Sequence, residues 1–285
     1  MQVKVSVYIT TYNRHELLKR AVDSVLAQSY QNIEIIVADD GSTDGTHAYL
    51  KEMQEQGLLL STINETGKSK GACYGRNKAL SLATGYFITG LDDDDYFENW
   101  RIESFVNFWG KLSLENECTT IAGLFDSMIE ITPSKTIITH QEQAVTLQGL
   151  RTANLIGNQV FTKASYFREL NGFDESMPAL QDWEMWIRLA KAYGNFINIS
   201  TNSYIVDASH SNNRISEKKA SKIEFSFNRL RSKLEPLTLP EKIKLSEVFL
   251  AYKQVNISLS DLFYLLIGFR VRTLLRYAKK KVTKR

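Results

Sequence analysis

Ile33-Glu34-Ile35-Ile36-Val37-Ala38-Asp39-Asp40-Gly41-Ser42-Thr43-Asp44-Gly45 is a short apolar run that ends in acids and turn residues. Runs of this length, rich in β-branched side chains and bounded by turn chemistry, read as buried strands. Tyr86-Phe87-Ile88-Thr89-Gly90-Leu91 is a second such run, and it leads into Asp92-Asp93-Asp94-Asp95. Towards the N-terminus Val3, Val5, Val7 and Ile9 alternate, giving a first strand that ends at Thr10-Thr11-Tyr12-Asn13. Asn13 and Glu16 are spaced as a capping box for a helix whose apolar positions are Leu17, Leu18, Ala21, Val22, Val25 and Leu26. Further along, a helix is predicted over 46–56, a strand over 58–63 and a helix over 75–83. The order β-α-β-α-β-α-β predicts an α/β fold with a mostly parallel sheet flanked by helices.

In one parallel sheet both acid clusters fall on the same edge, the carboxyl ends of the strands, where open α/β sheets bind ligands. So much negative charge in one crevice repels itself unless a cation sits there. Oxygen ligands beside a phosphate suit Mg²⁺ or Mn²⁺. Beyond this half the pattern is less regular. A helix is expected near 100–112, strands near 119–124 and 127–131, and helices near 163–170 and 182–192. Pro236 and Pro240 bracket a break between two more helices.

A chain of 285 residues, 43% hydrophobic and 24% charged, can bury a full core. The formal net charge of +3 is unevenly spread: from Leu262 onward there are eight Lys/Arg and no acid. The remainder is therefore net acidic, which argues against a general nucleic-acid binder. Cys73 and Cys118 form no C-x-x-C pair, as expected in a reducing cytoplasm. The start of the chain has no signal-peptide h-region, and no stretch reaches the apolar length of a membrane span.

The tail reads as an amphipathic element. Leu259, Leu262, Phe263, Leu266, Phe269, Val271 and Leu275 are interleaved with Arg270, Arg272 and Arg276, and Lys279 to Lys281 follow. An apolar helix face with a basic flank favours an anionic membrane surface, each basic residue contributing about 1 kcal/mol. Packing on the rest of the chain, or an interface with a partner or a second copy, would use the same residues.

Thr10-Thr11-Tyr12-Asn13-Arg14, Asp39 to Asp44, Gly71 to Gly85, Asp92 to Asp95 and Gly172 to Arg188 occur in an order that resembles the inverting glycosyltransferases of family 2, with the GT-A fold. The resemblance implies a catalytic domain over 1–215, its nucleotide-binding half 1–100 and its acceptor-binding half 101–215, with a helical region over 216–285. It implies a nucleotide-sugar donor, UDP-linked by expectation, and a glycan acceptor that is lipid-linked, at the inner face of the cell membrane. Asp40 would bind the base, with Thr10 and Tyr12 lining its pocket, although Asp39 and Asp40 also suit a turn. Asp92 and Asp94 match the family's D-x-D pair, with Asp94 as the direct metal ligand and Asp93 on the nucleotide. The four adjacent acids leave this register open by one residue. Arg76, in Gly71-Ala72-Cys73-Tyr74-Gly75-Arg76-Asn77, would approach the diphosphate or brace an aspartate.

Gln181-Asp182-Trp183-Glu184-Met185-Trp186-Ile187-Arg188 resembles the family's E-D-x-x-x-W-x-R segment, with Gln181 where Glu is usual. Asp182 would then be the general base for inversion, against the plainer reading of a helix cap. Trp183 would stack on the acceptor sugar or lie in the core, and Asn158 would bind sugar hydroxyls. His210 lies where family members carry a His that approaches the metal or diphosphate, with Arg214 nearby. Two rivals are a sugar nucleotidylyltransferase, which would show a glycine-rich loop where Thr10-Thr11-Tyr12-Asn13 stands, and a non-catalytic scaffold of the same fold.

Overall fold

The computed structural model describes residues 2–115, 120–139, 142–209, 220–252 and 255–282. The N-terminal half runs β1 (Val5–Thr11), α1 (His15–Leu26), β2 (Ile33–Asp39), α2 (Thr46–Glu55), β3 (Leu60–Ile63), α3 (Ala72–Leu82) and β4 (Phe87–Asp92). Then come β5 (Tyr96–Phe97), α4 (Arg101–Glu115), β6 (Gly123–Phe125), β7 (Met128–Ile131), β8 (Thr136–Thr139), β9 (Ala144–Val145) and α5 (Leu147–Leu150). These are followed by β10 (Phe161–Lys163), α6 (Ala164–Glu169), α7 (Gln181–Tyr193), β11 (Phe196–Asn198) and β12 (Tyr204–Asp207). The C-terminal helices are α8 (Ala220–Leu234), α9 (Leu239–Ala251), α10 (Leu259–Ile267) and α11 (Val271–Val282).

The main sheet has the order β3-β2-β1-β4-β10-β6-β11-β9. Its first four strands are parallel, as the alternation of strand and helix predicts, and β10 enters antiparallel between β4 and β6. β2 and β4, inside the sheet, read as near-continuous apolar runs, whereas β3 at its edge is partly exposed. One face carries α1 and α4, whose Val22 and Phe105 share a core with Val5, Val7, Ile9, Val37 and Leu91 of the strands. The other carries α3, α6 and α7, whose Leu80, Phe167 and Trp186 share a core with Tyr8, Ile36 and Ile88 of the strands. A second sheet, β5-β12-β7-β8, is not foreshadowed in the sequence beyond β7, because its strands are two to four residues long.

Two glycines set the sheet's inner geometry. A Cβ on Gly90 would stand 2.0 Å from Gln159 Oε1 and 2.5 Å from Tyr8 Cζ, so only glycine lets those side chains meet over β4. Gly41 has φ +87°, which turns the chain back under Asn64 after β2. The helical C-terminal region packs on α7: Phe227 of α8 lies 6.4 Å from Trp183 and stacks on Phe249 of α9 at 4.4 Å. Residues 235–238 form the break that Pro236 and Pro240 predict, and α9 begins with a capping box of Thr238 and Glu241. Among the described residues no helix is long and apolar enough to cross a membrane.

Candidate active site

The register brings the sequence motifs together. Thr10 of β1 pairs with Ala38 of β2 and Asp92 of β4, and Thr11 pairs with Asp39. Four consecutive acids cannot continue a buried strand, so β4 stops at Asp92, where Asp95 N closes a turn on Asp92 O at 3.0 Å.

On the β2 side, the two aspartates have different partners. Asp39 is fully buried, accepts from Ser42 Oγ at 2.5 Å and Ser42 N, and pairs with His47 Nε2 at 2.5 Å. Asp40 accepts from Asn64 Nδ2 (2.9 Å), Ser69 Oγ (2.6 Å), Lys70 N and Gly71 N (both 2.8 Å). Burial alone would raise its pKa, but these four donors hold it below the usual carboxylate range. Four bonds fill the accepting capacity of a carboxylate, so a base bound at Asp40 would exchange with one of them. Tyr12, beside it, is 47% exposed. The capping box expected at Asn13 is not formed. Asn13 has φ +52° and its Oδ1 accepts from Thr43 N at 2.7 Å, so the Asp39–Asp44 turn takes the side chain that would have capped α1.

The acid run divides in two. Asp93 is buried, and burial pushes it up to about 6 despite the Arg14 guanidinium beside it. Burial and the nearby Asp92 and Asp94 push Asp95 well above its ordinary value. Asp92 and Asp94, two residues apart, keep side chains 23% and 24% exposed. Arg14 Nη1 donates to Asp93 at 2.8 Å and Asp94 at 2.9 Å, while Arg20 reaches Asp94 O at 2.5 Å and pairs with Asp207. Asp92 accepts from Asn158 Nδ2 (2.8 Å), Gln159 Nε2 (3.1 Å) and Arg76 Nη2 (3.3 Å). Asn158 also donates to Asp95 and to Tyr204 Oη. It therefore braces the acids, and this brace takes the amide nitrogen of a side chain expected on an acceptor hydroxyl.

Among the described residues no three His, Cys, Asp or Glu are already gathered as a metal cage. The donor set nonetheless fits a hard divalent cation. It consists of oxygen ligands, two of them carboxylates about a quarter exposed, in a cluster whose mutual repulsion a cation would relieve, with Asn158 Oδ1 buried and unpartnered beside them.

Arg76 is 4% exposed, packs over the Phe173 ring at 5.1 Å, and leaves Nε and Nη1 without hydrogen-bond partners. Of its two sequence readings, the brace on Asp92 is present, and the other two N–H groups are buried without a partner. Asp182 is the second residue of α7, so it is not the helix cap. That position belongs to Leu180, held left-handed at φ +57°. Burial raises the Asp182 pKa, Arg76 lowers it and Asp92 raises it, which places all three groups in one electrostatic cluster. Asn154 Nδ2 donates to Asp182 at 3.2 Å.

Trp183 corrects the stacking expectation. It is 1% exposed and its Nε1 donates to Leu150 O at 2.6 Å, so the core claims both its faces. Trp186 is likewise buried. Gln181 is buried with Oε1 unpartnered where the resemblance expects Glu. His210 and Arg214 lie outside the described residues. Arg20, Tyr8, Asn154, Tyr204 and Asp207 join the site without a sequence signal, because each reaches it from a separate element: α1, β1, the loop after α5, and β12 of the second sheet. Arg14 had a signal, since it closes the Thr10–Arg14 motif. A groove of about 650 Å³ between α5, α9 and the α10–α11 turn contains none of these residues.

The profile described as "Glycosyl transferase family 2" matches residues 6–172. The chain is 31% identical over 247 residues to WcaA of Escherichia coli (strain K12), named for a role as a colanic acid biosynthesis glycosyl transferase, an alignment covering 82% of this chain and 86% of that one. It is 38% identical over 104 residues to WfaP of Escherichia coli, named UDP-Glc:alpha-D-GlcNAc-diphosphoundecaprenol beta-1,3-glucosyltransferase, covering 36% of this chain and 40% of that one. In fold it is similar to S. aureus TarS 1-349 in complex with UDP-GlcNAc, with TM-score 0.67, 20% identity, and 86% of this chain and 71% of that chain covered.

Proposed function

This chain belongs to glycosyl transferase family 2, and from that premise we propose that it moves a sugar, with inversion, from a UDP-sugar to a hydroxyl of a growing surface polysaccharide. The observation that carries the reading is that Arg76 pairs with Asp92 at the end of β4 while the charges of both act on Asp182 in the first turn of α7. Asp182 is the proposed base. Direct displacement needs a carboxylate opposite the leaving group to take the acceptor's proton as its oxygen attacks. Burial makes Asp182 a stronger base than a free carboxylate, and its place in the first turn of α7 still favours the ionised form. The two unpartnered N–H groups of Arg76 suit the donor's diphosphate. Asp40, Thr10 and Tyr12 are proposed around the base, with Asp93 on the nucleotide side. Asp92 and Asp94 would hold Mn²⁺ or Mg²⁺, which when bound supplies Lewis-acid stabilisation of the departing diphosphate.

Catalysis is assigned to residues 1–215. The acceptor is proposed to be lipid-linked, supported by the name of WfaP, and the chain to work at the cytoplasmic face of the membrane. Calorimetric titration of UDP, GDP and dTDP, each with and without Mn²⁺, tests the donor site. Metal-dependent binding of UDP alone is expected. Asp182→Asn is expected to keep that binding and lose transfer by at least about a hundredfold, the scale of a missing general base. A folded protein that binds no nucleotide would leave only the scaffold reading.

A further inference from the structure

The inner faces of the last two helices are already satisfied. Asp261 of α10 is buried, accepting from Arg231 at 2.7 Å and from Ser246 at 2.7 Å, and Leu265 is fully buried. Arg270 and Thr273 both reach Glu247 of α9 at 3.2 Å, and Tyr277 Oη accepts from Ile257 N at 3.1 Å. The outer faces are apolar and uncovered. Leu259, Phe263 and Leu266 recur at i, i+4 and i+7 on α10, and Val271 and Leu275 at i and i+4 on α11. All five are exposed. Phe269 joins the two helices at φ +51° and is, like Leu259, 88% exposed. One position after Val271, Leu275 and Ala278 stand Arg272, Arg276 and Lys279, an exposed basic row beside the apolar one.

We propose that α10, the Phe269 turn and α11 form a docking surface for an anionic lipid bilayer, lying in its interface with the apolar row inward and the basic row at the headgroups. This rests on, and deepens, the membrane location proposed above. Charge selects the occupant. A second copy would bring eight Lys/Arg against eight more, and the only acid in α10 and α11, Asp261, is buried and already paired, whereas an anionic headgroup layer complements the cations while its acyl region takes the leucines and phenylalanines. Neither α10 nor α11 is long and apolar enough to cross a membrane, so the proposal is interfacial contact rather than a span.

The test is co-sedimentation of the full chain with vesicles of phosphatidylcholine alone and of phosphatidylcholine mixed with phosphatidylglycerol. Binding is expected to the mixed vesicles only, and to weaken as salt is raised. Arg272→Gln with Arg276→Gln should lower the partition coefficient roughly thirtyfold, the combined contribution of two surface cations. Leu266→Glu with Phe269→Glu should abolish binding. All four positions are exposed, so these variants should keep the parent's melting temperature and UDP binding, which separates failure of docking from failure of the glycosyl-transfer reading. Equal binding to neutral vesicles, no binding to either, or unchanged binding by both variants overturns the proposal. A dimer in solution that Leu266→Glu with Phe269→Glu dissolves also overturns it, by giving the surface to a second copy.

Discussion

Arg14 already supplies a cation to the acid cluster, bridging Asp93 and Asp94 from one nitrogen. Removing one partner of a largely buried pair leaves a charge uncompensated, which costs about 3–5 kcal/mol when burial is complete and less here, where Arg14 keeps a fifth of its side chain in solvent. Arg14→Gln is therefore expected to lower the melting temperature by several degrees without metal. Added Mn²⁺ should recover more of that loss than it adds to the parent, because the ion then takes over neutralisation. Thermal melts with and without Mn²⁺ decide this, and an equal Mn²⁺ increment in both proteins would count against a cation site at these acids. Asp182 carries a second expectation at this scale. Burial raises its pKa, and the base must be ionised to act, so kcat/KM should fall as pH drops, through a midpoint above the ordinary carboxylate range. A profile flat down to pH about 4, the ordinary Asp value, would remove Asp182 from the proton transfer.

At the scale of elements, the parallel half was legible because its strands are alternating or largely apolar runs bounded by turn residues and helical patterns stand between them. Boundaries moved where a side chain was claimed from a distance. The helix expected from Gly75 starts at Ala72, because Asp40 fastens Ser69, Lys70 and Gly71 and ends the loop early. Asn13 looked like a cap by spacing, yet Thr43 holds it. Strands β5, β8, β9 and β12 had no local signature, since two to four residues show no convincing alternation and their pairing is set by distant partners. The same holds for the site: Asp40, Asp92 and Asp182 were readable as motif residues, whereas the roles of Asn158 and Trp183 depended on neighbours that sequence does not show. Gly90 tests the close packing over β4. Gly90→Ala places a methyl in overlap with Gln159 and Tyr8, at an expected cost of about 1–3 kcal/mol in urea unfolding. It should also weaken nucleotide binding, because Gln159 holds Asp92. Unfolding and binding both unchanged would mean that the strand shifts freely, and the packing argument would fail.

Across the whole molecule, one buried ion pair ties the two sheets to the crevice. Arg101, the first residue of α4, lies among the rings of Phe97, Phe105 and Tyr204 and donates to Asp126 at 2.7 Å and to Ser203 Oγ at 2.8 Å. Asp126 follows β6 of the large sheet, and it accepts from Ser203 N and Thr201 Oγ1 just before β12 of the small one. Along β12, Tyr204 Oη accepts from Asp92 N and from Asn158, and Asp207 N donates to Asp95. A side chain remote from any proposed ligand thus reaches the acid run through β12. Arg101→Leu fills part of the same volume but strands a buried carboxylate, so it should destabilise the fold by about 3–5 kcal/mol. Adding Asp126→Asn should recover part of that loss, because the charge left behind is then removed. If β12 transmits the change, the double variant will be stable again yet still bind nucleotide and Mn²⁺ more weakly than the parent. If binding returns in step with stability, the pair serves only to hold the sheets together, and the acid run is positioned by β4 and Asn158 alone.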